Sequence, residues 1–125
     1  MKQINVMKQA LAIFALLVVA GCASHHSDTP NTADSQAWQS YGEQTAAKGL
    51  VEHSQHQLAK SSANLTDEAY MAYQKGYATG QKQYCSQNAS WLGSTGQAYR
   101  GICDNIDPFF RQDYMAGVQS HAGGM

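Results

Sequence analysis

Two histidines three residues apart, His53 and His56, with Glu52 beside them, are the nearest approach to a metal-ligating pattern in this chain. On a helix they would share a face, because residues three apart are neighbours there. A zinc centre takes three or four ligands, and the remaining histidines, His25, His26 and His121, fall in polar stretches with no element to aim them. The pair is therefore read as solvated surface histidines, and no metal or other cofactor is expected. Nucleophilic catalysis has no better starting point. No serine, threonine or cysteine stands in a motif that pairs it with a base, and the carboxylates follow no recognisable spacing. Asp104, Asp107 and Asp113 suit a loop, a helix cap and an exposed helix position. The chain is not expected to be an enzyme.

Aromatic chemistry is denser. The stretch "EAYMAYQKGYATGQKQYC", residues 68–85, carries four tyrosines and two glycines ahead of a cysteine. Wound at roughly 100° per residue, Ala69, Tyr70, Tyr73, Gly76, Tyr77, Gly80 and Tyr84 fall within about 120°, with Glu68, Lys75, Gln81 and Lys82 outside. This single face has two readings. The rings could form a platform for a glycan strand or a protein partner, since tyrosine suits half-wet surfaces. Alternatively, Gly76 and Gly80 admit another backbone, while the rings pack inward with their hydroxyls at the rim. Glycine inside a helix costs about 1 kcal/mol relative to alanine. An exposed patch would not require that cost, so packing is the favoured reading.

Cys22 raises a different chemistry. It follows an apolar run from Ala10 to Ala20, itself preceded by Lys2 and Lys8. The run is shorter than the roughly 20 apolar residues that span a bilayer core and reads as the heart of a signal peptide over residues 1–21. Met7 offers a second start that keeps Lys8 and the run intact. Val19, Ala20, Gly21 and Cys22 resemble the bacterial lipobox, with valine where leucine is commoner. The resemblance implies a diacylglyceryl group on the Cys22 thiol, cleavage just before it and acylation of the new amino group; two or more acyl chains anchor stably where one does not. The alternative is an ordinary cleaved signal with Cys22 as a free thiol. Ala23 rather than aspartate follows Cys22, which by the same resemblance implies a periplasm-facing lipoprotein of the outer membrane and not the inner. A bacterial host also discounts the glycosylation pattern at Asn88.

After position 21 the chain has six basic and nine acidic residues, a net of −3. The basic residues are scattered, so neither nucleic acid nor an anionic headgroup patch is an expected partner. The membrane is expected to be reached through lipid alone, with an envelope protein or glycan as the further partner. The 104 residues beyond the signal suffice for one small domain, whose core is marginal without a staple. With Cys22 assigned to lipid, Cys85 and Cys103 remain as a pair in an oxidising compartment, where disulfides persist. A redox-active pair is the alternative, but there is no Cys-x-x-Cys spacing to support it.

The elements that must position these residues can be read in turn. Residues 22–36, the lipidated cysteine and a polar stretch with Pro30, are expected to form a flexible tether. The domain spans 37–120. Its first element starts near Ser35 and is broken near Gly49 into one or two helical pieces. Thr66 caps the tyrosine-bearing helix, with Asp67 and Glu68 in its positive first turn and Leu65 with Tyr70 as a hydrophobic staple. A short helix ending near Gly96, then an irregular return, fills the cysteine loop, where a minor hairpin is the other option. Asp107 and Pro108 open the last helix as cap and first residue, with Phe110, Tyr114, Gly117 and Val118 in one stripe. Residues 121–125 should fray as a disordered tail. No stretch alternates with period two, so the expected fold is mainly α, a small disulfide-stapled helical domain.

The segments "YQKGYATGQKQYC", "QNASWLGSTGQAYRGIC" and "DPFFRQDYMAG" together resemble domain-of-unknown-function family 2799, small envelope lipoproteins of proteobacteria. The matching positions are Tyr73, Gly76, Gly80, Tyr84, Cys85, Gly93, Gly96, Tyr99, Gly101, Cys103, Tyr114 and Gly117, with Trp38 and Gly42 upstream. The family's Asp-Gly pair is replaced by "EQTAA". The resemblance implies a shared envelope domain and carries no established activity.

Overall fold

The computed structural model describes residues 28–123. The expected signal peptide, Cys22, His25, His26 and the last two residues lie outside the described residues. Among the described residues five helices follow in order: α1 (Ser35–Ala47), α2 (Gln55–Ser61), α3 (Asp67–Cys85), α4 (Ala89–Ser94) and α5 (Phe110–Gly123). No strand occurs among the described residues, so the cysteine loop holds α4 and no hairpin.

Each boundary has a local cause. Asp34 caps α1 by accepting from the N–H groups of Gln36 and Ala37. At the other end Gly49 adopts φ +71°, its N–H reaching the Ala46 carbonyl while the Leu50 N–H reaches that of Thr45. This is the paired closure of a Schellman motif, which needs a residue at ease with positive φ. Ser54 and Gln57 form a reciprocal capping box at the start of α2, a Ser-x-x-Gln signature legible in the sequence that marks α2 as a helix of its own. Thr66 caps α3 through the Ala69 N–H, with Asp67 and Glu68 in the first turn. Leu65 and Tyr70 are both half-buried against the same core. Asn88 caps α4 through the Trp91 N–H.

Three boundaries differ from expectation. Helix α1 begins at Ser35, as its sequence indicates, but the stretch expected to remain flexible through residue 36 is held from Pro30 onward. The Trp38 indole N–H donates to the Thr32 carbonyl at 2.7 Å, the Ser62 hydroxyl to that of Pro30 at 2.9 Å, and the Asn64 amide to the Asn31 side chain at 2.8 Å. A buried tryptophan and a buried serine each required a partner, and the neighbouring backbone supplied it. Asp107 does cap, accepting from the Phe109 N–H, but a tight turn closed by Phe110 N–H on the Asp107 carbonyl delays α5 to Phe110. At its far end α5 runs through Gly123, so the first three residues of the expected tail are helical.

The helices assemble as two crossings joined by α3. Helix α1 packs on α3, and α4 on α5. The first core holds Trp38, Ala46, Leu58, Ala69, Tyr73 and Tyr77. The second holds Tyr84, Cys85, Ala89, Leu92, Ile102, Cys103 and Phe110. Cys85 and Cys103 are bonded at an S–S distance of 2.06 Å, tying the end of α3 to the return that leads into α5.

Candidate functional site

The tyrosine and glycine face of α3 lies against α1. A Cβ at Gly76 would fall well inside contact distance of the Gln39 backbone carbonyl, and one at Gly80 would do the same at Glu43. From the facing helix, a Cβ on Gly42 would run into the backbone of Tyr73 and Tyr77. The two helices therefore meet backbone to backbone through glycines on both sides, the close approach that small residues four apart permit. A second crossing repeats the device. Gly93 of α4 meets the Tyr114 carbonyl of α5, and Gly117 of α5 meets the Ser90 carbonyl of α4. The role of that second pair was not evident from sequence, because α4 is too short to show a periodic small-residue face.

The rings follow the glycines. Tyr73 is fully buried, Tyr77 and Tyr84 nearly so, and Tyr70 is half-buried, stacked on Tyr73 with ring centroids 6.1 Å apart. Two of their hydroxyls and one ring fasten the α1–α2 connector. Tyr73 Oη accepts from the His53 backbone N–H at 2.9 Å, Tyr77 Oη donates to the Leu50 carbonyl at 2.8 Å, and the Tyr84 ring lies against Gly49. A platform for an external ligand would need these rings at the surface, and three of the four are inside. Among the described residues the exposed large apolar side chains are Val51, Met71, Trp91, Ile106, Phe109 and Met115.

Burial shifts the tyrosines. Tyr73 is pushed up from 10.0 to about 12, and Tyr77 and Tyr84 are raised for the same first cause, desolvation. Glu52 is raised by desolvation as well, and its charge adds to the rise at Tyr73 and Tyr77. The linkage sign follows: a folded pKa above the unfolded value favours the fold fully below the unfolded pKa, and that contribution is lost as pH rises through the folded one. Thermal stability is expected to fall as pH passes from 10.0 towards about 12. A tyrosinate absorbance titration should then show tyrosines ionising late and together with loss of helix. Ionisation of every tyrosine near 10.0 with the fold intact would contradict the burial.

The disulfide end has its own polar cluster. Tyr99 donates to Asp104 Oδ1 at 2.7 Å and accepts from the Cys103 N–H at 3.0 Å. Arg111 donates to Asp104 Oδ2 at 2.6 Å and lies over the Tyr99 ring, 5.2 Å from its centroid. The Arg111 guanidinium, then the Tyr99 hydroxyl, hold the Asp104 carboxyl below its ordinary value, while burial and the Asp104 hydrogen bond push Tyr99 up to about 12. Asp104 is thus the centre of a cluster that orders the return, beyond the plain loop role expected of it. The spacing Tyr99, Asp104, Arg111 has no helical period and offered no sequence signal. Gly101, at φ +81°, brings this return close to Arg111 and Asp104.

The remaining candidates are dispersed. His53 is half-buried in the connector, whereas His56 and His121 are exposed on α2 and α5. Among the described residues no three His, Cys, Asp or Glu side chains gather as a metal site, and no helix is long and apolar enough to cross a membrane. The arrangement holds a connector and a return in place around two helix crossings.

Comparison with known proteins places this geometry. The family described as Protein of unknown function (DUF2799) matches residues 37–119, which include both glycine crossings and the disulfide. The chain belongs to that family. Uncharacterized protein YfiL of Escherichia coli (strain K12) is 28% identical over 102 residues, covering 81% of this chain and 80% of the relative. No solved structure matches. For this DUF2799 member, Gly42, Gly76, Gly80, Gly93 and Gly117 of the resemblance build the crossings, Tyr73 holds the connector, and Tyr99 and Gly101 lie in the return.

Proposed function

We propose that the protein is a lipid-anchored, periplasm-facing component of the outer membrane, attached through Cys22, that works by interaction or structural support and not by catalysis. The observation that carries this reading is the pairing of Cys85 with Cys103, which leaves Cys22, behind Val19, Ala20 and Gly21, as the remaining cysteine of the three. A disulfide persists in an oxidising compartment, and the periplasm is where a lipobox would deliver the domain. Pro30, Asn31 and Thr32 dock the segment before α1 onto the domain through their hydrogen bonds. Only the few residues between Cys22 and Pro30 would then separate the fold from its lipid. The domain would sit close against the membrane, with the α4–α5 crossing carried away along the length of α3.

Cys22→Ser is the test. The variant should accumulate as a precursor that retains residues 1–21 and carries no acyl chain, with an unchanged circular dichroism spectrum. Normal acylation and membrane retention of that variant would end the reading. A partner, if protein, should appear as one stoichiometric in-cell crosslink to the wild type that is lost with Cys22→Ser.

A further inference from the structure

A cleft of about 170 Å³ opens beside the first crossing, lined by Thr29, Tyr41, His53, Gln57, Leu58 and Ser61. Leu58 is buried. Tyr41 is half-buried and backed by Trp38 and Tyr73, with ring centroids 6.0 Å and 5.8 Å away. These two supply an apolar base, and the other lining side chains are polar.

Two of those polar groups are set in place by the surrounding structure. The His53 backbone is held by Tyr73 Oη at 2.9 Å, which puts the imidazole at the edge of the cleft. Gln57 accepts the Ser54 N–H on Oε1 at 2.8 Å, which leaves its amide hydrogens to donate. Among the described residues, the hydroxyls of Thr29, Tyr41 and Ser61 and the ring nitrogens of His53 make no hydrogen bond within the protein. Polar groups converging over an apolar base suit a small-molecule site, with Gln57 and Ser61 here open to solvent.

Size and charge narrow the ligand. The volume is well under the ~300 Å³ at which drug-sized pockets begin, and at ~30 Å³ per water it would take about six waters, the room of one small ring. The lining includes no lysine, arginine, aspartate or glutamate, so neither an anion nor a cation finds a counter-charge on it. Hydroxyls both donate and accept, matching a ligand whose own groups do both.

We propose that this cleft binds a single neutral sugar ring, its hydroxyls meeting Thr29, Tyr41, His53, Gln57 and Ser61 and its C–H face resting on Leu58 and the Tyr41 ring. This site is distinct from the buried tyrosine face of α3 and does not depend on lipid at Cys22.

The test titrates the full chain in detergent with glucose and, separately, with N-acetylglucosamine, following backbone amides by NMR. Saturable shifts confined to the cleft residues are expected with at least one sugar. Response to both would show that ring hydroxyls are read; response to N-acetylglucosamine alone would show that the acetamido group is. Tyr41→Phe and Ser61→Ala, which leave the helices and the core unchanged, should each weaken binding about fivefold, the effect of one hydrogen bond. The proposal is overturned by shifts no different from those with glycerol at equal concentration, by shifts centred elsewhere, or by variants that bind as the wild type does.

Discussion

Gly76→Ala is expected to destabilise the protein by about 2 kcal/mol, although alanine is the better helix former. The intrinsic preference alone would stabilise α3 by about 1 kcal/mol. Against it stands the added Cβ, which would sit inside contact distance of the Gln39 carbonyl and closer than 3.0 Å to its carbon. The obstacle is backbone, with no flexible side chain to give way, so α1 itself must move outward. Overpacking of this kind costs about 1–3 kcal/mol, occasionally more, and the upper end applies because moving α1 also loosens Trp38 and Tyr73, both fully buried. For a domain of this size about 2 kcal/mol lowers the melting temperature by roughly 10 °C. Gly123→Ala, where a Cβ meets nothing within 4 Å, is the matched control and should be neutral. The sign decides between the two readings of the tyrosine face: on an exposed platform Gly76→Ala would stabilise.

Replacing Cys85 and Cys103 together by serine should cost about 3 kcal/mol, within the range of 2–5 kcal/mol seen when a native disulfide leaves a small domain. Two effects act in the same direction. The cross-link joins residues separated by 18 positions, and removing it restores freedom to the unfolded chain. Cys103 is also fully buried and Cys85 nearly so, in a cluster with Leu92, Ile102 and Phe110, where a serine hydroxyl has no apolar equivalent. The loss should not be uniform. Amide exchange should rise most in α4 and in the return from residue 95 to 109, whose attachment to α3 runs through the disulfide and the Gln81 side chain, which donates to the Ile102 carbonyl at 2.6 Å. Exchange in α1 and the first half of α3, held by their own core, should change little. A uniform rise across the chain would show that the two crossings do not open separately.

Most of this architecture was legible because it is local or periodic. Thr66 with two acidic residues after it and glycines at 49 and 96 are punctuation that acts within a few residues, whereas Asp107 before Pro108 marks a cap but not the turn that delays α5 to Phe110. The tyrosine and glycine face of α3 repeats over more than four turns, long enough for the period to show. What stayed hidden depends on contacts distant in sequence. Trp38 reaching back to Thr32, and Ser62 to Pro30 across 32 positions, turned part of an apparent linker into domain. Tyr99, Asp104 and Arg111 meet where the return passes beside α5 at Gly101. The sugar-sized cleft combines the segment before α1, Tyr41 of α1, the connector and α2, and only the packing of those segments brings Thr29 and Tyr41 beside the residues of α2.

The central claim joins address to architecture: a lipid on Cys22, and a disulfide-stapled domain behind it. Intact-mass analysis of the protein taken from the membrane fraction of its own cells, alkylated without reductant, tests both at once. The predicted species starts at Cys22, carries acyl chains on it, lacks the hydrogens of both other thiols and takes up no alkylating group. A protein recovered without acyl chains, or one alkylated at Cys85 and Cys103, would contradict the account.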